Sequence, residues 1–517
     1  MQSHITDIPV HRLLAVFLTV VFSSSLISSP AGLTGTTTID ATGRVNYPTD
    51  ILVMTNFTQI IAVNNLSLGV NIGDNFDFSK WRNDVTLREK VAACNFRLVR
   101  LFIHEIQPCT QWNETLHKGE YSWELFDRTI ERVLEMGAEP LLVIASGNWE
   151  TRYWLPRGMN GNYQNSKLPS NESFGAFCSD VIRHCNIEKN WQIRFWEIWN
   201  EPEFCKSDPN TGELSPDLGR ISNFAKLFDY AARAMHSVDS TVLCGHGFSA
   251  IKSFFDYFVA SSEGLGFFSI HDYDAHATTC YRSDYYKTES EIMTDASIIG
   301  YQKPGVWKTY SPWELRTIWR QQKGQELPVL ITETNANSAS ANGTDPRMQT
   351  VFGAAWYAEK LRSAVLENVT YCAYFTLASD HSDFWNSTEL TGGFGFGLMN
   401  STPPYAEWFP YFTNLLLGSE LRRNDVLCNS STSDFSTLSS LAWTTQTHHC
   451  ILLVGKTAGK ASVVINIAQG SVGGQTYAQV LRIDRSSRGI VYQNCSWTSP
   501  LSVEIDGFGI VIIKIPV

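Results

Sequence analysis

The chain has 517 residues and a mass of 58.1 kDa, and 43% of its residues are hydrophobic, so it can bury at least one large core. Its 40 basic and 51 acidic side chains give a formal net charge of −11, which provides no basic field for a polyphosphate backbone. We therefore expect no nucleic-acid partner. The 16 Trp are well suited to stacking on a sugar-like ligand, although packing is the ordinary role of any single Trp.

An apolar run follows two basic residues near the N-terminus. His11 and Arg12 precede Leu13–Phe22, a run of about ten residues that is too short to span a bilayer but suits the core of a signal peptide. We interpret residues 1–29 as a secretion signal, with an uncleaved membrane anchor as the alternative. No other stretch of the sequence is long and apolar enough to span. The expected location is therefore secreted, in the secretory lumen or at the cell surface.

Glycosylation motifs and cysteines fit that compartment. Asn-x-Ser/Thr occurs at Asn56, Asn65, Asn113, Asn171, Asn342, Asn368, Asn386, Asn400, Asn429 and Asn494. The 11 Cys form no CxxC and no Cys/His cluster, which argues against a zinc site and favours a few disulfides with at least one thiol left over. The sequence implies a disulfide-containing glycoprotein with no cofactor and no metal.

Short apolar strands alternate with helical segments from Asn65 onwards, as in parallel βα units. Eight strands are predicted: Leu66–Ile72, Arg97–Ile103, Glu139–Ala145, Ile193–Trp199, Thr241–His246, Gly266–Tyr273, Pro328–Glu333 and Thr370–Leu377. Between them lie helix-like stretches such as Trp123–Gly137, in which Leu125, Ile130 and Val133 follow a helical period. Eight such units predict an α/β fold, a (β/α)8 TIM barrel over residues 64–417, with its chemistry at the carboxyl ends of the strands.

The composition changes after about Leu417. Ser and Thr become dense, and short apolar runs such as CILLVGK and FGIVIIKIPV alternate with Gly-containing turns. We interpret residues 418–517 as an accessory β-sandwich. The strand-like segment Ile51–Val63 precedes the barrel, and we expect it to complete that sandwich.

Two glutamates end predicted strands that face each other across the barrel. In RFWEIWNEPEF, Arg194–Phe204, an apolar run is followed by Asn200, Glu201 and Pro202, and Glu333 closes PVLITE. A carboxylate behind a buried strand is costly to desolvate, and ordinarily serves as a solvated cap or an ion-pair partner. Glycoside hydrolysis, however, usually needs a pair of carboxylates, and two strand ends that face each other across a barrel mouth would supply one.

The stretch FWEIWNEPEF resembles the acid/base strand of clan A glycoside hydrolases, in which Asn-Glu-Pro ends strand four and a Glu ends strand seven. Together with GFGLMNSTPPYAEWFPYF, residues 395–412, it is similar to glycoside hydrolase family 39, which includes β-xylosidases and α-L-iduronidases. The resemblance extends in pattern over residues 66–417. It implies a retaining O-glycoside hydrolase that acts by double displacement, with Glu201 as acid/base and Glu333 as nucleophile.

The same resemblance implies further binding residues. Asn200 matches the partner of the sugar hydroxyl beside the reacting carbon, and His271 and Tyr273 match the clan's His and Tyr near the nucleophile. Arg100 matches the arginine of strand two, with Arg97 as a competitor for that role. Thr334 departs from the Trp that often follows the nucleophile in the family, which leaves the sugar specificity open.

Other residues are candidates by position alone. Trp149, after strand three, and Trp385, after strand eight, could serve as stacking platforms, and Trp199 or Phe204 as an apolar wall beside Glu201. Glu197 is expected to form a structural ion pair inside the barrel, and Glu203 to be exposed. Weaker candidates for sugar contacts are His104, Glu105, Asp380 and His381.

These observations predict a carbohydrate substrate: an oligosaccharide, a polysaccharide or a glycoconjugate. Xylosides, glucosides, galactosides and uronides all remain open. The alternative function is that of a catalytically inactive secreted protein that binds carbohydrate on a barrel scaffold.

Overall fold

The computed structural model describes residues 50–517 except 74–75, 146–154, 161–167, 203–204, 208–213, 217, 248–251, 276–286, 301–309, 338–345, 380–396, 469–471, 473–476, 488 and 497–499. Of residues 1–49 it describes two short antiparallel strands, Thr38–Ile39 and Val45–Asn46. The predicted signal peptide therefore lies outside the described residues. Among the helices that are described, none has the length and apolar character needed to cross a membrane.

Eight parallel strands form the predicted barrel. They are Ser67–Ile72, Leu98–Phe102, Glu139–Val143, Phe195–Glu197, Leu243–Gly245, Phe268–Ala275, Val329–Asn337 and Tyr371–Tyr374, here called barrel strands one to eight. Neighbours in chain order pair except strands five and six, and strand eight pairs with strand one. The gap between strands five and six is bridged by a hydrogen bond of 2.8 Å from Gly266 N to Cys244 O. The predicted (β/α)8 barrel with an accessory β-domain is confirmed.

Helices cover the outside of the barrel between successive strands. They are Phe78–Asn83, Val85–Ala93, Glu124–Glu135, Asn171–Ile182, Leu218–Val238, Lys252–Ser261, Glu289–Ala296, Pro312–Lys323, Val351–Leu366 and Phe409–Glu420. Two β-hairpins extend from loops, Cys109–Asn113 with Lys118–Tyr121 and Cys205–Ser207 with Leu214–Pro216. In Glu124–Glu135 the buried side chains are Phe126, Thr129, Ile130 and Val133, at helical spacing, whereas Leu125, predicted to face the core, is exposed.

The predicted strand ends differ from the observed ones near the two glutamates. Strand four stops at Glu197 instead of Trp199, and its last ladder bond runs from Ile198 N to Gly245 O on strand five (3.0 Å). Strand seven continues past Glu333 to Asn337. Both differences alter how the glutamates are presented.

The β-domain is one nine-stranded sheet wrapped around its own hydrophobic core. In spatial order its strands are Val491–Ser496, Tyr477–Ile483, Ile510–Pro516, His448–Gly455, Leu438–Thr444, Val426–Thr432, Ile51–Val63, Lys460–Ile467 and Leu501–Asp506. The N-terminal segment Ile51–Val63 pairs antiparallel with Val426–Thr432 and parallel with Lys460–Ile467. It thus joins the two halves of the sheet.

Strands of the β-domain that face the barrel are buried on both sides. Along His448–Gly455, Ile451 and Leu453 lie in the core of the β-domain, whereas Leu452 and Val454 lie in the core shared with the barrel. Helix Val351–Leu366, between the barrel and the sheet, is buried over almost its whole length. This two-sided burial explains why the C-terminal strands read as continuous apolar runs instead of alternating ones.

The cysteines do not form the expected disulfides. Nine lie in the described part of the chain, and all nine are free thiols: Cys94, Cys109, Cys178, Cys185, Cys244, Cys372, Cys428, Cys450 and Cys495. Eight of them are buried and serve as small apolar side chains, and burial raises the pKa of the Cys244 thiol to about 12. The expectation of several disulfides is wrong for these residues, and the side chains of Cys205 and Cys280 lie outside the described part.

Candidate active site

The barrel interior is apolar at one end and polar at the other. Side chains that alternate along the strands, including Leu98, Phe195, Leu330 and Tyr371, form an apolar cluster toward the amino ends. Two residues after Leu98, on the same face of strand two, Arg100 begins the polar layer. Its side chain is wholly buried.

Arg100 connects four strands through its guanidinium. Nε donates to Glu197 Oε2 (2.8 Å), and Nη1 donates to both Asn71 Oδ1 (3.0 Å) and Glu333 Oε1 (2.6 Å). Nη2 donates to Asn200 Oδ1 (2.6 Å). Burial opposes the charge of Arg100, but Glu197 and Glu333 outweigh it and raise the Arg100 pKa. A permanent cation therefore holds one carboxylate from strand four and one from strand seven.

A β-bulge turns Glu333 toward the barrel interior. Strict alternation from Leu330 would point Thr332 inward and Glu333 outward. The register between strands six and seven shifts, however, so that Ile270 pairs with Ile331 while His271 pairs with Glu333. The extra residue lets Thr332 and Glu333 both face the centre, which is a known use of bulges beside functional sites.

Both oxygens of Glu333 accept hydrogen bonds. Arg100 donates to Oε1, and the Tyr273 hydroxyl donates to Oε2 at 2.7 Å. Burial and the neighbouring Glu333 charge raise the pKa of Tyr273 well above its usual value, so Tyr273 is a neutral donor. Glu333 itself is 5% exposed, so solvent competes little with these contacts.

Glu201 is presented by a turn beyond strand four. Its φ is +48°, in the left-handed region, and its N–H donates to Gly247 O at 2.6 Å. Gly247 also has a positive φ, +60°, and a Cβ there would lie 2.3 Å from Trp199 O. The glycine therefore permits the close approach that fixes the Glu201 backbone, and the Glu201 side chain remains 34% exposed.

His271 lies between the two glutamates. Its Nδ1 is 3.0 Å from Glu201 Oε1 and 3.4 Å from Glu333 Oε2. Burial opposes its protonation, but the charges of Glu333 and Glu201 outweigh burial and raise the His271 pKa. One oxygen of each glutamate and a ring nitrogen of His271 lie within 4.8 Å of one another.

These three side chains could in principle ligate a cation. Each oxygen of Glu333 already accepts a hydrogen bond, from Arg100 or Tyr273, and the guanidinium beside it supplies the positive charge that a metal would otherwise bring. The donor set therefore suits a hydrogen-bonded pair of carboxylates better than a metal centre.

A second buried polar cluster supports strand six from outside. Asp272 and Asp274 alternate with His271 and Tyr273 and so face the helices, where Lys360 Nζ donates to both at 2.6 and 2.8 Å. Lys360 is fully buried, and despite burial the two aspartates raise its pKa. The strand that carries two site residues is thus fixed by an ion triad on its outer face.

Several residues that the sequence suggested as site candidates lie away from this cluster or outside the described residues. Arg97 is exposed and donates to Gly137 O (3.4 Å), so of the two candidate arginines it is Arg100 that contacts Glu333. Trp199 packs against Phe174 and Phe224 in the helix layer, because the strand ends before it. The following candidates lie outside the described residues: Trp149, Trp385, Glu203, Phe204, Asp380 and His381.

The sequence did not reveal the residues that support the site through contacts between distant strands. Asn71, on strand one, anchors Arg100 and also donates to Thr332 O (2.8 Å). Ser269 donates to Glu197 Oε1 from strand six and contacts Thr332 Oγ1 at 2.7 Å. The alternation of acids with His and Tyr in HDYD was the available signal for the Lys360 triad. His104, a weaker candidate, has its pKa lowered to about 4 by burial and is neutral.

The curated relative found by sequence is a β-xylosidase from Caldicellulosiruptor saccharolyticus, which is 25% identical over 300 residues. The match covers 54% of this chain and 53% of the relative, so the chain spans about half the length of that relative. No family model matches the chain.

Solved structures match over nearly the whole chain. A monomeric β-xylosidase from Caulobacter crescentus CB15 superposes with a TM-score of 0.60 at 15% identity, covering 90% of this chain and 99% of that one. The family 39 glycoside hydrolase from Xanthomonas axonopodis pv. citri gives 0.62 at 15% identity, covering 91% and 98%. A glucosidase from Croceicoccus marinus gives 0.59 at 14% identity, covering 91% and 99%. The chain therefore has the barrel-plus-sheet fold of the family 39 glycoside hydrolase and β-xylosidase structures.

Proposed function

We propose that the chain is a retaining O-glycoside hydrolase in which Glu333 is the nucleophile and Glu201 the general acid/base. The observation that carries this proposal is the approach of the two carboxylates, whose nearest oxygens lie within 4.8 Å across the barrel mouth. Retaining enzymes hold their carboxyl groups about 5–5.5 Å apart, whereas inverting ones need roughly 6.5–9.5 Å to admit water. Nearest oxygens within 4.8 Å fit the retaining range, and the hydrogen bonds that orient Glu333 support its use as a nucleophile.

The surroundings of each glutamate suit its role. Glu333 accepts hydrogen bonds from the Arg100 guanidinium and the Tyr273 hydroxyl, which position its oxygens for attack on the anomeric carbon. Glu201 is partly exposed, so it can reach the oxygen of the leaving group and later a water molecule. His271 donates or accepts at Glu201 Oε1 and can follow its change of protonation.

The proposed cycle consists of two displacements at the anomeric carbon. Glu333 forms a bond to the anomeric carbon while the bond to the leaving oxygen breaks, and Glu201 transfers its proton to that oxygen. Water then attacks the same carbon, Glu201 takes a proton from it, and Glu333 departs as a carboxylate. Asn200, fixed through Arg100, would bind the hydroxyl beside the reacting carbon.

The relatives guide the choice of first substrates. β-Xylosidases occur both in the sequence match and among the structural matches, so aryl β-xylosides are tested first and glucosides, galactosides and uronides follow. The apolar run near the N-terminus and the glycosylation motifs support a secretory route for the enzyme.

Proton NMR of the first-formed sugar tests the proposal. We expect the product to appear with the anomeric configuration of the substrate, and Glu333→Gln to abolish turnover. An inverted first product would overturn the assignment of the pair. Sugar binding without turnover by the wild-type protein on every glycoside of the panel would favour the non-catalytic carbohydrate-binding alternative.

A further inference from the structure

Strand Ile51–Val63 exposes an apolar segment at the surface of the β-domain. Ile60 is 64% exposed, Ile61 48% and Val63 54%, and all six residues from Thr58 to Val63 are exposed. Such a run on a strand promotes association between molecules unless a charge or a cover protects it. The segment contains no charged residue.

A bulge of three residues interrupts this strand beside the apolar segment. On the paired strand, the adjacent residues Cys428 and Asn429 pair with Ile60 and Asn56, so Phe57, Thr58 and Gln59 are looped out of the ladder. Asn56 and Ile60 are therefore neighbours in space although they are four residues apart in the chain. The bulge carries the motif Asn56-Phe57-Thr58.

The bulge is anchored by a buried side chain, and its glycosylation motif lies at the surface. Phe57 is buried and its ring stacks on His449 with a centroid distance of 4.4 Å. Asn56 Oδ1 accepts hydrogen bonds from Thr58 N (3.0 Å) and Thr58 Oγ1 (2.7 Å). These bonds occupy the amide oxygen and leave Asn56 Nδ2, which has no hydrogen bond within the described contacts, directed away from the turn.

The facing motif differs in this respect. Asn429 begins the motif Asn-Ser-Ser directly opposite Asn56, but its Nδ2 donates to Gln59 Oε1 at 3.1 Å. Directly paired residues of antiparallel strands lie roughly 4.5–5.5 Å apart, so two glycans cannot be accommodated there. The hydrogen bonds favour Asn56 over Asn429.

We propose that Asn56 carries an N-linked glycan that covers the apolar segment Ile60–Val63, an inference that rests on the secretory route proposed above. Asn56 Nδ2 forms a bond to the anomeric carbon of a lipid-diphosphate-linked oligosaccharide of the cell that secretes the protein. The bond from that carbon to the phosphate oxygen breaks, the lipid diphosphate leaves, and the amide loses one proton. The polar glycan then separates the segment from other copies of the chain.

Peptide mapping of the full chain secreted from eukaryotic cells tests the site, with enzymatic glycan release in isotopically heavy water to mark each occupied Asn. We expect Asn56 to be occupied, and Asn429 and Asn400 to be unoccupied; the side-chain oxygen of Asn400 is buried. Thr58→Ala should abolish occupancy at Asn56, and Thr58→Ser should retain it. An unoccupied Asn56, whether other motifs are modified or none is, overturns the proposal.

Light scattering of the same preparations tests the covering role. We expect Thr58→Ala to raise the average mass above that of the wild type, and the added substitution Ile60→Lys to restore it. An unchanged mass without the glycan would overturn the covering role. Aryl glycoside turnover, measured in parallel, should not differ between Thr58→Ala and wild type. If neither protein turned over the substrate, the result would contradict the proposed enzymatic function and would leave the glycan proposal to be decided by the peptide mapping.

Discussion

Glu359 and Lys360 are adjacent in helix Val351–Leu366 but bind opposite parts of the molecule. Glu359 accepts from Ser439 on the β-domain and from Ser297 Oγ (2.8 Å), whereas Lys360 binds Asp272 and Asp274 on barrel strand six. One helical turn thus joins the β-domain to the strand that carries His271 and Tyr273. The β-domain is part of the scaffold that holds the site, not an appended module.

Replacing Lys360 should destabilise the whole chain. Lys360→Met leaves two buried aspartates without their cation, and the loss of one partner from a buried ion pair typically costs about 3–5 kcal/mol. Denaturant unfolding measures this loss. Lys226→Met, an exposed lysine on helix Leu218–Val238, is the matched control and should change stability by less than about 0.5 kcal/mol. Equal losses for the two variants would contradict the role of the triad.

Removing the C-terminal β-domain should destabilise the barrel. A chain that ends at residue 420 would expose the face of helix Val351–Leu366 that now packs under the sheet, together with the buried Glu359. We expect it to aggregate or to unfold at a markedly lower temperature, as followed by thermal unfolding and sedimentation. A truncated barrel that stayed soluble with an unchanged Tm would show the two parts to be independent.

Gly247 should be required for the position of Glu201. Gly247→Ala places a Cβ 2.3 Å from Trp199 O in a left-handed backbone, so we expect a loss of about 2 kcal/mol or more in stability. Because Gly247 O holds the Glu201 backbone, kcat/KM should fall at least about tenfold as well. Gly459→Ala serves as the control, since its Cβ would meet no atom within 4 Å. An active, fully stable Gly247→Ala variant would refute this account.

His271 should make stability depend on pH with a definite sign. Its folded pKa is raised by Glu333 and Glu201 in spite of burial, so the folded state binds the proton more tightly than the unfolded state. The stabilisation is complete below the ordinary His pKa of about 6.5 and is lost as pH rises through the folded pKa. The difference in unfolding free energy between wild type and His271→Gln should therefore shrink from acidic to alkaline pH.

His449 provides the control of opposite sign. Burial lowers its pKa, so the folded state resists protonation and the wild-type residue destabilises the chain as pH falls. The unfolding free energy of wild type relative to that of His449→Gln should accordingly decrease as pH falls. The same trend for both histidines would contradict the assigned interactions of His271.

Glu201→Ala should separate the two steps of catalysis. Without its acid, cleavage of glycosides with poor leaving groups should slow by about 10²–10⁴-fold, whereas an activated aryl group departs without a proton. Azide should then restore turnover by attacking the glycosyl-enzyme from the vacated space, and Glu333→Ala should show no retaining turnover. Equal losses on good and poor leaving groups, with no azide rescue, would exclude Glu201 as the acid/base.

The amino-acid sequence by itself determined the order of the helices and strands and the strand on or after which each main site residue lies. Periodicity encodes local burial, so eight apolar strands separated by helical stretches were sufficient to predict the barrel. The residues that end or alternate along those strands included Glu201, Glu333, His271 and Tyr273. The resemblance to clan A glycoside hydrolases also implied a site role for Arg100, with Arg97 as a competitor for that role.

Only the tertiary structure decided the direction in which the side chains of those residues point. Alternation would have turned Glu333 outward, and the bulge against His271 reverses it; Glu201 lies beyond its strand in a left-handed turn held by Gly247. The choice of Arg100 over Arg97 and the free state of the described thiols were likewise settled by packing. The physical reason is that bulges, register and ion-pair partners depend on contacts between strands far apart in the chain, which local periodicity does not encode.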